Sequence, residues 1–353
     1  MNRIRKISTN NGAECFSLAK GDHDNVIPER CQCIVLLSQE SAYTIGGEIL
    51  DVGVIGTGMM GRNHARVYSE LKAVDSLYLY DLNEKAARDL AGAFEATASA
   101  TLESLLKNVD AVSVCVPTPY HFGVAEQVLD AGVPLLIEKP ICATAEESRR
   151  LIAKIPDGLV AGVGHIERFN PIVPEIKKIV RNPLYIEMKR HNPASSRVSG
   201  SSVVEDLMIH DVDIMRNVLI PNGAYRLAGS GNQDVCSALF SFGETSVYLS
   251  ASRKSSKKIR MIYIEEEEFT VEGDFMAQEI YIHRKPGQYA VEDERYVQEN
   301  IIEKVLVNKQ EPLKLELSTF LDCVAKGREF PVSPEQALLN MEICEDVKRC
   351  FAV

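Results

Sequence analysis

The chain has 353 residues, 45% of them hydrophobic, with 39 basic against 50 acidic residues and a net charge of -11. That length exceeds a single typical domain and leaves room for two buried cores. The acidic balance argues against a nucleic-acid or anionic-membrane partner, no apolar run reaches transmembrane length, and Met1 to Lys20 holds basic residues without the apolar centre of a signal peptide.

Nine cysteines (Cys15, Cys31, Cys33, Cys115, Cys142, Cys236, Cys323, Cys344, Cys350) are scattered, odd in number and mostly set in apolar patterns. They read as free thiols in a reducing cytoplasm. Cys31 and Cys33 form the one close pair, and no second pair or histidine cluster completes a zinc site.

Residues 1 to 49 show no sustained period and hold three of the nine cysteines. They read as a poorly ordered extension, or a start-site artefact, ahead of a dinucleotide-binding domain over 50 to 167 and an α+β substrate and oligomerisation domain over 168 to 353.

From Asp51 an apolar strand feeds into Gly56-Thr57-Gly58-Met59-Met60-Gly61 and then a helical pattern through Tyr68 and Leu71. This G-x-G-x-x-G has the strand, turn and helix that make a dinucleotide site. Gly56 allows the turn, Gly58 lets the backbone approach a pyrophosphate, and Gly61 lets helix and strand pack closely, with the helix N-terminus facing the phosphates. A second strand, Leu77 to Tyr80, ends in Asp81, about 20 residues on, where a carboxylate for the ribose hydroxyls is expected. Asp81 could instead cap the helix that starts near Asn83. Its charge opposes a 2′-phosphate and favours NAD, while Arg62 leaves room for NADP.

Strand and helix then alternate. A helix over Asn83 to Phe94, a short one capped by Thr101, a buried strand over Asp110 to Val116, and Pro117-Thr118-Pro-Tyr-His121 opening a helix to Ala131 come first. A strand over Pro134 to Ile137 follows, ending in Glu138-Lys139-Pro140. A helix over Ala145 to Ile155 and a strand over Leu159 to Val163 lead to Gly164-His-Ile-Glu-Arg168-Phe-Asn170-Pro171. This order gives a doubly wound, mostly parallel sheet whose strand ends line a ligand crevice. Past Pro171 the pattern turns to short strands at 184–191, 235–241, 246–252, 258–264, 267–272 and 278–284, with helices at Val203 to Leu219, Glu316 to Lys326 and Pro334 to Phe351. That predicts an α+β domain built on a large open antiparallel sheet. The basic run Arg253 to Arg260, followed by Glu265 to Glu268, reads as solvated hairpin ends.

Two places carry chemistry. Lys139, at the end of a buried strand, would be partly desolvated and so fit to exchange a proton near neutral pH; an ion pair with Glu138 that closes the strand is the plainer reading. Asp206 and His210 stand at i and i+4 of a predicted helix with Asp213 a turn on. A carboxylate there would orient the His210 ring, although a plain helix-surface pair or an isolated pair of metal ligands fits the same spacing.

Together, G-x-G-x-x-G with Asp81, Pro117-Thr-Pro-x-His121, Glu138-Lys139-Pro140, Asp206-x-x-x-His210-x-x-Asp213 and Glu311-Pro-Leu-x-x-Glu316-Leu-x-x-Phe320 resemble the glucose-fructose oxidoreductase/inositol dehydrogenase/MocA family over residues 50 to 353. The resemblance implies NAD(P)-dependent oxidation of a sugar or polyol hydroxyl, a homodimer or homotetramer joined through the open sheet, and a cofactor held by Gly56 to Gly61, Asp81, Pro117, Thr118, His121, Glu138 and Lys139. Lys139, His210 and Asp206 would line the reacting hydroxyl. Residues 164–171 and 206–214 are similar to the branch that oxidises the 3-hydroxyl of UDP-N-acetylglucosamine, although Met208 stands where many relatives carry glycine. Arg168, Asn170, Arg190 and Arg197 are then candidates for the diphosphate and sugar, since arginine forks match phosphate oxygens. Two other readings stay open: a dehydrogenase of a free sugar or inositol, and an NAD-binding sensor without turnover.

Overall fold

The computed structural model describes residues 3–8, 14–19, 49–193, 202–285, 289–292, 295–298 and 301–351. The chain forms two compact units, Met1–Thr44 and Ile45–Val353. In the first, β1 (Arg3–Ser8) and β2 (Glu14–Ala19) pair antiparallel. The rest of the expected extension lies outside the described residues, as does Arg197.

The second unit opens with six parallel strands in the order β5-β4-β3-β6-β7-β8. They are β3 (Leu50–Ile55), β4 (Val74–Tyr80), β5 (Thr97–Ala98), β6 (Ala111–Val114), β7 (Leu135–Glu138) and β8 (Ala161–Gly164). Every residue of β6 and β7 is buried, as their continuous apolar runs require when helices cover both faces. Between them run α1 (Met59–Glu70), α2 (Glu84–Ala93), α3 (Leu102–Leu106), α4 (His121–Asp130) and α5 (Ala145–Ile152). Asn83, Thr101 and Thr144 cap α2, α3 and α5 by accepting from the N–H three residues on, which satisfies donors left over at helix starts. The strand order reverses between β3 and β6, so their C-terminal ends open a crevice.

α6 (Ile172–Ile179) then leads into β9 (Tyr185–His191). The helix expected over 203–219 is present but widened at both ends: π-type turns at Val204–Met208 and Met215–Leu219 flank the regular α7 (Ile209–Ile214). Such turns recur where a helix is reshaped around a site. The second sheet has eight strands in the order β10-β11-β12-β9-β13-β14-β15-β18, antiparallel except for the β9–β12 pair. These are β10 (Arg226–Gly231), β11 (Val235–Phe242), β12 (Thr245–Ser252), β13 (Ile259–Glu265), β14 (Phe269–Asp274), β15 (Glu279–Arg284) and β18 (Ile302–Val305), while β16 (Tyr289–Glu292) and β17 (Arg295–Gln298) form a separate pair. The edge strands β10 and β18 were not expected. Arg-Leu-Ala-Gly-Ser-Gly has weak strand propensity of its own, and β10 exists because β11 templates it.

The last two helices are α8 (Pro312–Lys326), which starts earlier than expected because Pro312 suits a first turn, and α9 (Pro334–Arg349). Leu313, Leu317, Phe320 and Leu321 of α8 are buried in the core of the first sheet. Along α9, Ala337 and Met341 belong to that core and Ile343, Cys344 and Val347 to the core of the second sheet. Ile166 and Phe169 still pack on the first core, the first strand of the second sheet begins at Tyr185, and the chain later returns to the first layer. No helix among the described residues is long and apolar enough to cross a membrane.

Candidate active site

The glycine turn meets the requirements of a dinucleotide. Gly56 has φ +95, and a Cβ on Gly61 would lie 1.8 Å from the Gly56 carbonyl oxygen, so the α1 start presses on the turn as only glycines allow. A Cβ on Gly58 would meet nothing within 4 Å, which leaves open space beside the backbone. The start of α1 has no side-chain cap and no acidic residue in its first turn. Its N–H groups and dipole thus face outward for an anion. Asp81 accepts from Thr57 through both backbone N–H (2.7 Å) and hydroxyl (2.9 Å), and from the Asn83 N–H (2.8 Å). Burial pushes its carboxyl up, but those hydrogen bonds outweigh it and hold the group below the usual carboxylate range. Asp81 is therefore a fixed anion at the β4 end that also shapes the turn. Pro117 is exposed and Thr118 half-buried at the β6 end. His121 differs from the expectation of a cofactor contact. It is buried, with Nε2 2.8 Å from the Val116 carbonyl and Nδ1 2.8 Å from the Pro140 carbonyl, so it ties two strand-end loops together.

Across the crevice, Lys139 Nζ donates to the Asp206 backbone carbonyl at 2.8 Å and lies 3.7 Å from the Asp206 carboxylate. Its side chain is 18% exposed, and the Lys139–Pro140 peptide is cis. Burial pulls the ammonium pKa down, partly opposed by Asp206 and Glu138 and reinforced by Arg190 and Arg260. His210 is buried, and its Nδ1 has no hydrogen-bond partner among the described residues. Burial, then the charges of Lys139, Arg190, His165 and Arg260, push its pKa well below the ordinary histidine value, so it stands neutral as a proton acceptor. Asp206 does not hold the His210 ring as expected. Its carboxylate lies between Lys139 and Arg253, the latter 4.0 Å away, and two cations attract it more strongly than a neutral imidazole.

Three of the expected sugar or diphosphate contacts are instead tied to the protein's own side chains and backbone. Arg190 is 1% exposed and gives Nη1 to Glu167 (2.8 Å) and Nε and Nη2 to Asp211 (3.0 and 2.7 Å). Asn170 donates to the Phe275 carbonyl (2.9 Å). Arg168 forks onto Asp213 and reaches Gln336 (2.9 Å). A guanidinium buried without carboxylates would be prohibitively costly, and these carboxylates take the donors that a substrate would need. Sequence reasoning missed Arg253 and Arg260, placed in a solvated hairpin end. Arg260 stands directly opposite Arg190 in the β9–β13 pair and gives Nη1 to the same Glu167 oxygen at 2.8 Å. The strand register of 258–264 against 184–191 was the signal available.

His165, whose ring centroid lies 6.4 Å from that of His210, is also pulled down first by burial, as is His121. A histidine whose folded pKa is depressed contributes stability that is complete above its unfolded value, about pH 6.5, and lost as pH falls towards the folded value. The melting temperature is therefore expected to fall as pH drops below about 6.5, and less steeply in His165→Gln. A melting temperature flat through that range would contradict it.

A UDP-N-acetylglucosamine 3-dehydrogenase of Acidithiobacillus ferrooxidans is 32% identical over 292 residues, which cover 78% of this chain and 89% of that protein. The model of the GFO_IDH_MocA family, an oxidoreductase family with an NAD-binding Rossmann fold, matches residues 50–164. The chain belongs to the GFO/IDH/MocA oxidoreductase family. A solved structure of the Acidithiobacillus enzyme superposes with a TM-score of 0.77 at 28% identity, covering 86% of this chain and 97% of that one. An inositol 2-dehydrogenase of Agrobacterium fabrum is 30% identical over 180 residues, 48% of this chain and 54% of that protein. Levoglucosan dehydrogenase, solved with NADH and levoglucosan, shares the GFO/IDH/MocA fold at a TM-score of 0.72 and 18% identity, over 85% of this chain and 96% of that one. As a GFO/IDH/MocA protein, this chain is an NAD-binding oxidoreductase and a dehydrogenase acting on a CH–OH group.

Proposed function

We propose that the protein oxidises a hydroxyl of a nucleotide sugar, specifically the 3-hydroxyl of UDP-N-acetylglucosamine, with NAD as acceptor. The observation that carries this reading is the likeness to the Acidithiobacillus enzyme along 89% of that enzyme's length. The convergence of Lys139, Asp206 and the neutral His210 on one crevice is consistent with it. Bound NAD supplies the hydride acceptor. Lys139 and His210 are the two groups able to take the hydroxyl proton, and Asp206 orients the Lys139 ammonium. Arg260 on β13, more exposed than Arg190, and Arg253, just past β12 beside Asp206, join the candidates for the diphosphate.

The reading is tested by reduced-nicotinamide absorbance with UDP-N-acetylglucosamine, UDP-glucose, glucose and myo-inositol, each with NAD and NADP, repeated with an aminotransferase that draws off a keto sugar. Signal confined to UDP-N-acetylglucosamine is expected. Signal with inositol instead would favour a free-polyol dehydrogenase, the reading that the inositol dehydrogenase relatives support over about half of the chain. If Asp81 selects NAD, Asp81→Ser should move the NADP-to-NAD preference by about tenfold, ~1.4 kcal/mol. An unchanged ratio of kcat/KM values would place selection elsewhere.

The outer face of the eight-stranded sheet carries Tyr248, Tyr263, Tyr281, Leu239 and Met261, the last two 43% and 42% exposed. These residues alternate with Glu187, Lys189 and Glu272 on the same face; a mixed aromatic and charged face of this kind fits burial against a second copy, and a homodimer or homotetramer is part of the proposal. Cys115, Cys142, Cys236, Cys323, Cys344 and Cys350 are free, in keeping with a cytoplasmic setting.

A further inference from the structure

Beneath Lys139 lies a group of side chains that the proposed chemistry does not use. Glu138, on the last residue of β7, accepts from His64 Nε2 of α1 at 3.0 Å and from the Lys139 backbone N–H at 3.2 Å. Glu316 of α8 joins them, with one ligand-type atom of each residue within 4.8 Å of the others. Glu316 is fully buried, and neither carboxylate oxygen has a hydrogen-bond partner among the described residues. Gly164 makes room: a Cβ there would lie 3.2 Å from the Glu138 carboxylate.

Two buried carboxylates at this separation do not both remain charged beside one histidine. Glu138 has the donors, and Glu316 has none. Burial pushes both up, but His64 and Lys139 hold Glu138 below the ordinary range, while the charges of Glu138 and Asp213 drive Glu316 well above it. A divalent cation would be another way to neutralise the pair. A histidine ligand, however, almost always donates its other ring nitrogen to an acceptor, and His64 Nδ1 has no partner among the described residues.

We propose that His64 and Glu316 are positioning residues for Lys139: Glu316 stays protonated and His64 donates, so that Glu138 is the single anion of the group and fixes the Lys139 backbone and charge. The proposal rests on the reading of Lys139 as a group that handles the hydroxyl proton. Around Lys139 stand Asp206, Glu138, Arg190, Arg260, His165 and His210; around Glu316 stand Glu138, Asp213, His64, Tyr68 and Cys115. Of these, Glu138 is the anion that both groups share.

The test has a spectroscopic and a kinetic arm. In the infrared spectrum of the protein at neutral pH, a protonated-carboxyl carbonyl band should be present and vanish in Glu316→Gln. In the kinetic arm, His64→Leu, which takes away the side-chain donor that holds Glu138 charged, should lower kcat about tenfold with KM changed less than twofold. Loss of the Glu138 charge destabilises the ammonium, so the acid limb of the kcat profile should move to lower pH by about one unit. His64→Gln, which keeps a donor toward Glu138, should rescue both. Absence of the infrared band, a Gln variant that behaves like the Leu variant, unmoved pH limbs, or a stoichiometric divalent metal in the purified protein would each overturn the proposal. If no sugar is turned over by the unaltered protein, the functional reading fails, and the infrared arm still decides the state of Glu316.

Discussion

Replacing Lys139 by Ala is expected to lower kcat by roughly 10²- to 10⁴-fold, the usual worth of a positioned proton-transfer group, with the NAD dissociation constant changed only a few-fold. The glycine turn joins β3 to α1 and Asp81 follows β4, and neither depends on the Lys139 ammonium. His210→Ala should fall in the same range. The double variant should cost less than the product of the two losses, because both residues act on one proton. Steady-state kinetics paired with fluorescence titration of NADH separates the outcomes. Turnover retained within tenfold in Lys139→Ala would remove it from the chemistry, and loss of NADH binding would recast it as a cofactor-binding residue.

Glu167→Ala should be the most damaging substitution for stability, at about 3–5 kcal/mol. Its one oxygen accepts from both Arg190 and Arg260, 2.8 Å from each, and those arginines face each other directly across β9 and β13. Burial pushes the Glu167 carboxyl up, but the two guanidinium charges outweigh it and keep it ionised. Without that carboxylate, two like charges oppose each other across the sheet with only Asp211 to share. Since a domain is stable by about 5–15 kcal/mol in all, the denaturation midpoint should drop sharply. Adding Arg260→Ala should restore part of the loss. A single-variant cost under about 1 kcal/mol would show that water or Asp211 takes over the role.

The nucleotide half was legible because its demands are local. A glycine that must touch a carbonyl, a strand end and a carboxylate at fixed distance along the chain are all readable from spacing. The place of Lys139 at a buried strand end was legible for the same reason. The arginines were not. Arg190 and Arg168 look like phosphate ligands until the partners Glu167, Asp211 and Asp213 are known to stand beside them, and that depends on strand register and helix packing. Asp206 was assigned to the near residue His210, whereas its partner Lys139 is 67 residues away. Glu316 did leave a trace: an acidic residue among Leu313, Leu317 and Phe320 of α8. An unpaired carboxylate inside an apolar stripe is expensive enough to need a reason.

The return of α8 to the first sheet and the passage of α9 through both cores bear on how residues 50–351 come apart. Neither sheet keeps a complete apolar covering without the C-terminal helices, so a fragment ending near residue 168 would leave exposed the surface that Leu317 and Phe320 occupy. Calorimetry of the intact chain should accordingly record one cooperative transition for these two layers rather than two. Nascent chains would gain a finished nucleotide-binding layer only after the final helices have emerged, which makes the first half a late product of synthesis despite its early place in the sequence.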